Sequence, residues 1–503
     1  MRRKPTEDTT MKKTLILAML LCLLSPCAMA LTMIGLETDT VERNWEGHAF
    51  FERMQALTGV AVSAHGETDR AAYAKMLAEM ESGAIPADVL FKAALSREQE
   101  YRLLESGAIV DLAPYIEAHM PNLSALLAAN PQWKADIALE DGRIASLPLL
   151  NMRERQVCLW INAAWLETLG LPMPQTMDEL TAALVKMKDS DPNANGKRDE
   201  IAADLTGVYE LRWLLAYYGI VADDYSLARD AQGKLFFAPE APQYREFIAG
   251  MKNWYDLGVL PKAAFTGMHS TQALSDEDED KPATSGILLS MTPFTHVPMN
   301  AIEQYQALLM PAPDGSVRWR DLLGQVWTGC FAVTSACSDV PAALRWADAL
   351  YGEAGALLAY AGVLGEDYTV AADGSWIFAA DENKDVNDIR ADSVIYTGEA
   401  APGLYPGAFI HRIDSQMDRH IFAQSERVRA VAERVTPAYA PDRAGQIRAQ
   451  ELMSRLGALV DRGIARFVTG EVELSDENYE AWLAEMAAAG SAELVQIFDQ
   501  PAQ

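Results

Sequence analysis

From residue 31 onward, short apolar runs alternate with segments whose apolar residues recur every three or four positions. Leu31 to Leu36 is an apolar run of strand length. Phe50, Phe51, Met54 and Leu57 then mark one face of a helix that stops at Gly59. Val60 to Ser63 predicts a second strand, Asp69 to Glu81 a helix, Ala87 to Phe91 a third strand, and Glu98 to Leu104 a helix ending before Gly107. Asp141-Gly142 predicts a tight hairpin leading through Pro148 into an extended crossing. Val157 to Asn162 reads as a strand and Ala163 to Leu169 as a short helix. Thr176, with Glu179 three residues on, caps a helix running to Asp189. Strands alternating with helices predict a mostly parallel sheet flanked by helices, with ligand beyond the carboxyl ends of the strands. Gly35 to Thr40, Asn44-Trp45 and Phe91-Lys92 fall near those ends.

The first thirty residues break the pattern. Lys12-Lys13, the apolar run Leu15 to Leu24, and Ala28-Met29-Ala30 have the order of a secretory signal peptide, and the run is too short for a stable membrane anchor. Pro26 beside the bond to be cleaved makes Cys27 a poor lipid-attachment site, so a secreted or cell-envelope protein is expected. The chain has 503 residues, enough for two lobes with separate cores, and half of them are apolar. Its net charge is −29; losing residues 1–30 removes five basic and two acidic residues and leaves about −32. That charge opposes binding to nucleic acid or to anionic lipid. Cys158, Cys330 and Cys337 remain. Cys330 and Cys337 could pair, but an odd, irregular set reads as small buried residues rather than a disulfide framework.

Candidate chemistry concentrates after Asp189. Asp191, Asn193, Asn195 and Asp199 carry side-chain oxygens at alternating positions, Gly196 stands where a chain wrapping a cation must turn, and Lys197 needs only its carbonyl. This is the spacing of the first nine positions of a calcium loop. Position twelve is Ala202, so the loop is not an EF-hand, and Glu200 is the carboxylate able to replace the missing bidentate ligand. Three carboxylates with amide and carbonyl oxygens suit calcium better than magnesium or zinc. The competing reading is a polar turn, which Asp-Pro and Asn-Gly form without metal.

Trp160-Ile161-Asn162, Trp165-Leu166, Leu169-Gly170-Leu171 and Pro174 to Leu180, followed by the Asp191 loop, resemble family 1 extracellular solute-binding proteins, the capturing components of bacterial ABC importers. Trp254 to Leu260, Phe331 to Ser335, Pro341 to Asp348, Gly365 to Thr369, and Phe467 to Glu471 with Tyr479 and Trp482 extend the resemblance over most of the mature chain. It is similar to the large Gram-positive oligosaccharide-binding branch and to alginate-oligosaccharide binders, whose calcium ligands match Asp191, Asn193, Asn195, the Lys197 carbonyl, Asp199 and Glu200. Asn162-Ala163-Ala164-Trp165 departs from it, lacking the arginine and aspartate many relatives carry. The resemblance implies an α/β protein of the periplasmic-binding-protein type II fold, two lobes with a hinge and an interlobe ligand cleft. The lobes are expected at 31–152 with 286–327, and at 153–285 with 328–503. It further implies a monomer that captures a carbohydrate, an oligosaccharide, delivers it to a membrane permease and catalyses nothing.

Two rival classes remain open. A secreted glycoside hydrolase needs two placed carboxylates, but among 71 acidic residues pairs can be drawn anywhere. No Gly-x-Ser-x-Gly elbow, His-Glu-x-x-His helix or phosphate loop occurs, and His411 and His420 do not share a helix face. A peptide-binding or scaffolding protein is the other. Sugar binders stack aromatic rings on pyranose faces. Trp45, Trp213, Trp327 and Tyr405 are the candidate ligand-facing rings by placement, with core packing the alternative for each; Trp165, Trp254 and Trp346 read as core.

Overall fold

A computed structural model describes residues 30–37, 45–152, 155–265, 281–321, 326–372, 374–378, 390, 393–395, 401–405, 416–436 and 442–499. The expected signal peptide, most of the acidic run Ser275 to Lys281, and His411 lie outside them.

Ten strands make two main sheets: β1 Leu31–Leu36, β2 Val62–Glu67, β3 Val89–Phe91, β4 Leu147–Asn151, β5 Cys158–Asn162, β6 Ile201–Asp204, β7 Ser285–Ser290, β8 Tyr305–Ala307, β9 Val326–Val333 and β10 Gly403–Tyr405. The chain divides into two compact units. One holds the residues up to Ile137, Arg143–Leu150 and Val326–Tyr405; the other holds Ala138–Gly142, Asn151–Gln325 and the chain from Pro406.

The first unit is built on a six-stranded sheet of order β10-β4-β9-β3-β1-β2. β1 runs parallel to β2 and β3, while β9 runs antiparallel to both β3 and β4. The sheet is therefore mixed, where a mostly parallel one was expected. The reason is connectivity. Leu150 pairs with Val326, and the chain leaves the unit after Leu150 and re-enters at Val326. Neighbouring strands that leave and enter at one edge must run in opposite directions. The helix Ala49–Thr58 starts on His48, whose Nδ1 accepts the Phe50 N–H, and stops at Gly59. Its buried Phe50 and Phe51 meet Phe91 from β3 and Trp346 from the helix Val340–Asp348, with ring centroids 5.9 to 6.4 Å apart.

The second unit has a four-stranded sheet of order β8-β5-β7-β6. Its core contains Trp165 and Trp254, buried as expected, and a helical cap in which Phe467, Tyr479 and Trp482 pack together. The pairing corrects the expected boundaries: 285–290 belongs here with β5 and β6, and 326–333, with the helix after it, belongs to the first unit. β7 and β9 are both largely buried apolar strands, so composition alone did not say which sheet each would join. Each unit is thus an α/β layer structure of the type II binding-protein kind. No helix among the described residues is long and apolar enough to cross a membrane.

Candidate functional site

The helix Met177–Asp189 begins as its sequence dictates: the Thr176 hydroxyl accepts the Glu179 N–H, and the Glu179 carboxylate accepts the Gln175 N–H. It delivers the chain into the Asp191 loop. There one Asp191 carboxylate oxygen accepts the Asn195 N–H (3.1 Å) and the other accepts the Gly196 N–H (2.9 Å). Gly196 turns with φ of 75°, as its place in the loop requires, and Ala194 also adopts positive φ. The Asn195 amide nitrogen donates to both Asp199 oxygens, at 3.0 and 3.2 Å, and the Asn193 amide donates to the Ala283 carbonyl. The loop then enters β6 through Ile201, whose N–H donates to the Thr284 carbonyl.

Glu200 stands out. It is 9% exposed, and neither carboxylate oxygen has a hydrogen-bond partner among the described residues. Burial pushes its carboxyl pKa up, the nearby backbone N–H groups of Glu200 and Asp199 pull it partly back, and the charges of Asp199 and Asp191 add to the rise. A buried carboxylate without a well-formed hydrogen bond is costly, and a hard cation is a partner that would relieve it. No three His, Cys, Asp or Glu side chains among the described residues converge as a ready metal cluster. The donor set fits calcium by chemistry, without a closed shell.

The four candidate rings divide two and two. Trp45 is 1% exposed, seated where Gly35 and Gly66 leave room: a Cβ on either would come within 2.9 Å of the indole. Its Nε1 donates to Glu37 (2.6 Å), whose other oxygen accepts from the buried Lys92 ammonium (3.1 Å). Trp213, 3% exposed, packs against Trp319 at 5.9 Å. Both rings are packed inside their units and present no stacking face, unlike the expectation for them. In each case an aromatic near a strand end or after a loop was equally compatible with a neighbouring core. Trp327 and Tyr405 are partly exposed, and both belong to the first unit.

Trp327 sits at a register break in β9, between Trp327 and Phe331. The Gly329 N–H within the break donates to the Ser146 hydroxyl (2.8 Å), which donates to Glu100, and Glu100 also pairs with Arg97 (3.0 Å). Opposite, Lys92 and Ala94 both hold positive φ, unusual for residues with a Cβ, and Leu95 N–H donates to the Gly329 carbonyl. Tyr405 meets Tyr360 edge-on at 4.7 Å.

In the second unit the Arg320 guanidinium lies 4.7 Å over the Trp213 ring and 2.6 Å from Asp224. Asp223 beside it accepts the Leu227 N–H and the Thr436 hydroxyl; burial pushes its pKa up to about 6. Sequence reasoning missed Ser146, Glu100, Asp224 and Arg320; Glu37 and Lys92 it placed near strand ends, without a role for either side chain. A cavity of about 630 Å³ among first-unit helices, lined by Leu57, His119, Asn122 and Arg345 among others, contains none of the candidate residues. Cys158, Cys330 and Cys337 are free thiols, and His420 Nε2 donates to the Tyr305 carbonyl.

The family model described as bacterial extracellular solute-binding protein matches residues 48–357. The fructooligosaccharide ABC transporter substrate-binding protein FusA of Streptococcus pneumoniae is 30% identical over 226 residues, 42% of this chain and 41% of FusA. The matched stretch thus spans about two fifths of the length of the curated relatives. FusA in complex with kestose has a similar structure, with a TM-score of 0.68 and 19% identity over 93% of this chain and 98% of that one; FusA is also known as an EF-hand mutant with fructo-nystose. A solute-binding protein from Bifidobacterium longum infantis, binding human-milk oligosaccharides by its description (HMO), has a TM-score of 0.74 at 18% identity over 93% and 97%. The alginate-binding protein AlgQ2 without calcium ion has a TM-score of 0.63 at 17% identity over 94% and 97%. These likenesses establish the fold.

Proposed function

Since this chain belongs to the bacterial extracellular solute-binding protein family, a family of binding proteins and not of enzymes, we propose that it captures an oligosaccharide outside the cell and delivers it to the permease of an ABC importer. The observation that carries this is the family match from residue 48 to 357, with a fold shared over nine tenths of the chain by proteins described as binding kestose, alginate or milk oligosaccharides. The signal-peptide pattern of residues 1–30 agrees with export to the cell envelope. The acidic surface agrees with a ligand other than nucleic acid, and the chain acts as a monomer.

In the first unit, Trp327 and Tyr405 are the rings proposed to stack on sugar, their exposed area being what stacking needs. Trp45 holds the buried Glu37–Lys92 pair inside the first unit, and Trp213 underlies Arg320 in the second. Asp191, Asn193, Asn195, the Lys197 carbonyl, Asp199 and Glu200 would hold calcium, as in the calcium-loop branch; the orphaned Glu200 carboxylate supports this, as do the EF-hand of FusA and the calcium of AlgQ2. The ion would supply only positive charge to neutralise these carboxylates, tying the end of one helix to β6.

A thermal-shift screen of the mature protein with di- to tetrasaccharides tests the capture reading. Binding confined to the folded state raises the melting temperature by mass action, about 2.7 kcal/mol at a hundredfold excess over Kd. A panel in which no sugar stabilises, while peptides do, would move the assignment to a peptide binder.

A further inference from the structure

We infer that Asn195 is a self-modifying residue: the Asp191 loop is arranged so that the Gly196 nitrogen attacks the Asn195 side-chain amide, converting Asn195 to aspartate and isoaspartate without an enzyme.

Asn195-Gly196 is the one Asn-Gly pair in the 503 residues. The reaction closes a small imide ring, so it needs the side-chain carbonyl carbon brought over the next backbone nitrogen. The loop does this. The Asn195 side-chain carbonyl accepts the Lys197 N–H at 2.7 Å, which folds the side chain back over the Gly196 peptide. The same hydrogen bond polarises that carbonyl, as a donor aimed at a developing oxyanion does. The attacking Gly196 N–H donates to an Asp191 carboxylate oxygen at 2.9 Å, an acceptor placed to take up its proton. Gly196 has no Cβ to shield its nitrogen. Asn195 is half-buried and Gly196 exposed, so water reaches the ring once it has formed.

Asn193 supplies the contrast within the same loop. Its side-chain carbonyl accepts the Asn195 N–H at 3.1 Å, the same turn two residues earlier. The nitrogen that would attack it belongs to Ala194, which carries a Cβ. That N–H donates to the Asp191 backbone carbonyl (3.3 Å) and not to a carboxylate. Asn193 has the turn without the base.

In the reaction a bond forms between the Gly196 nitrogen and Cγ of Asn195, and the Cγ–Nδ2 bond breaks. Nδ2 leaves as ammonia, carrying the proton that the Gly196 nitrogen gave up. Water then opens the imide at one carbonyl or the other, giving aspartate or isoaspartate. Asp199 loses the Nδ2 donor it now has at 3.0 and 3.2 Å. Either product sets a further carboxylate beside Asp191, Asp199 and Glu200, and isoaspartate adds an atom to the backbone inside the donor spacing. The chemistry needs no metal. On the reading that the loop holds calcium, the ion engages the Asp191 carboxylate and the Asn195 carbonyl that the step uses, so loading slows it.

The test incubates the full mature chain with chelator at mildly alkaline pH and follows each asparagine by peptide mapping, as a mass gain of about 1 Da. Asn195 is expected to convert at least about tenfold faster than Asn193. Gly196→Ala, whose methyl meets no atom within 4 Å, should slow it about tenfold. Asp191→Asn, which keeps an oxygen acceptor and loses the charge, should slow it about threefold. Melting curves show that both variants fold. Conversion of Asn195 no faster than of Asn193, or a rate in Asp191→Asn equal to or above that of the wild type, overturns the inference. Excess calcium should slow the wild-type rate; a rate that calcium leaves unchanged, with the Asp191→Asn slowing present, upholds the modification and counts against an ion at Asp191 and Asn195.

Discussion

Glu200 is the residue on which the proposed calcium site turns. Its burial without a well-formed hydrogen bond is unfavourable in the metal-free chain, and the oxygen spacing from Asp191 onward says which ion would relieve it. Extracellular calcium sites need only modest affinity, with Kd on the order of 0.1–1 mM. Tenfold excess calcium then adds about 1.4 kcal/mol of stability. Chelation should lower the melting temperature without unfolding the protein outright, and Asp191→Ala should abolish the calcium-dependent part alone. A metal-stripped wild-type chain whose melting curve calcium leaves unmoved would reduce the loop to a turn. Asp223 makes a second residue-scale prediction. Its folded pKa, about 6, lies above the value of an exposed aspartate. It therefore contributes stability that is full below about pH 4 and lost as pH rises through 6. Asp223→Asn lacks that loss, so the melting temperature of the variant minus that of the wild type should climb from pH 4 to pH 7. A flat difference over that range would mean Asp223 is not held protonated by the fold.

Elements were legible in the sequence where one periodicity dominated. The helix Met177–Asp189 and strand β5 lie within a residue or so of where cap and apolar run put them. Sheet membership was not legible. β7 and β9 are read identically from composition, and only pairing, Ser290 with Cys158 and Val326 with Leu150, assigns them. The same non-local logic hid the support of Trp327. Ser146, Glu100 and Gly329 are far apart in sequence, so no spacing rule joins them, yet together they pin the register break that carries the ring. The proposed calcium loop was visible because its donors lie close together in sequence at a regular spacing; the Arg320–Asp224 pair, nearly a hundred residues apart, was not. Ser146→Ala strands the buried Gly329 N–H and takes a donor from Glu100, a loss of about 1–3 kcal/mol. It should also weaken sugar binding, as Trp327→Ala would. If Ser146→Ala lowers stability and leaves sugar affinity untouched, the break is only structural and Trp327 is not held for a ligand.

At the scale of the whole chain, two α/β units, a family match across residues 48–357 and an acidic sequence with a signal-peptide pattern converge on the proposed capture without chemistry. The resemblance carried by the Trp160 and Asp191 segments was enough to name the family, but not the sugar, because hydroxyl stereochemistry is written in no single residue. The most direct measurement is a calorimetric titration of the mature chain with the sugar its thermal-shift screen selects, followed by mass analysis of the recovered ligand. The account predicts one sugar bound per chain, a negative heat-capacity change from the apolar surface buried, and recovery of the sugar intact. A saccharide returned shortened, or no heat with any saccharide at concentrations well above the micromolar range, would contradict it.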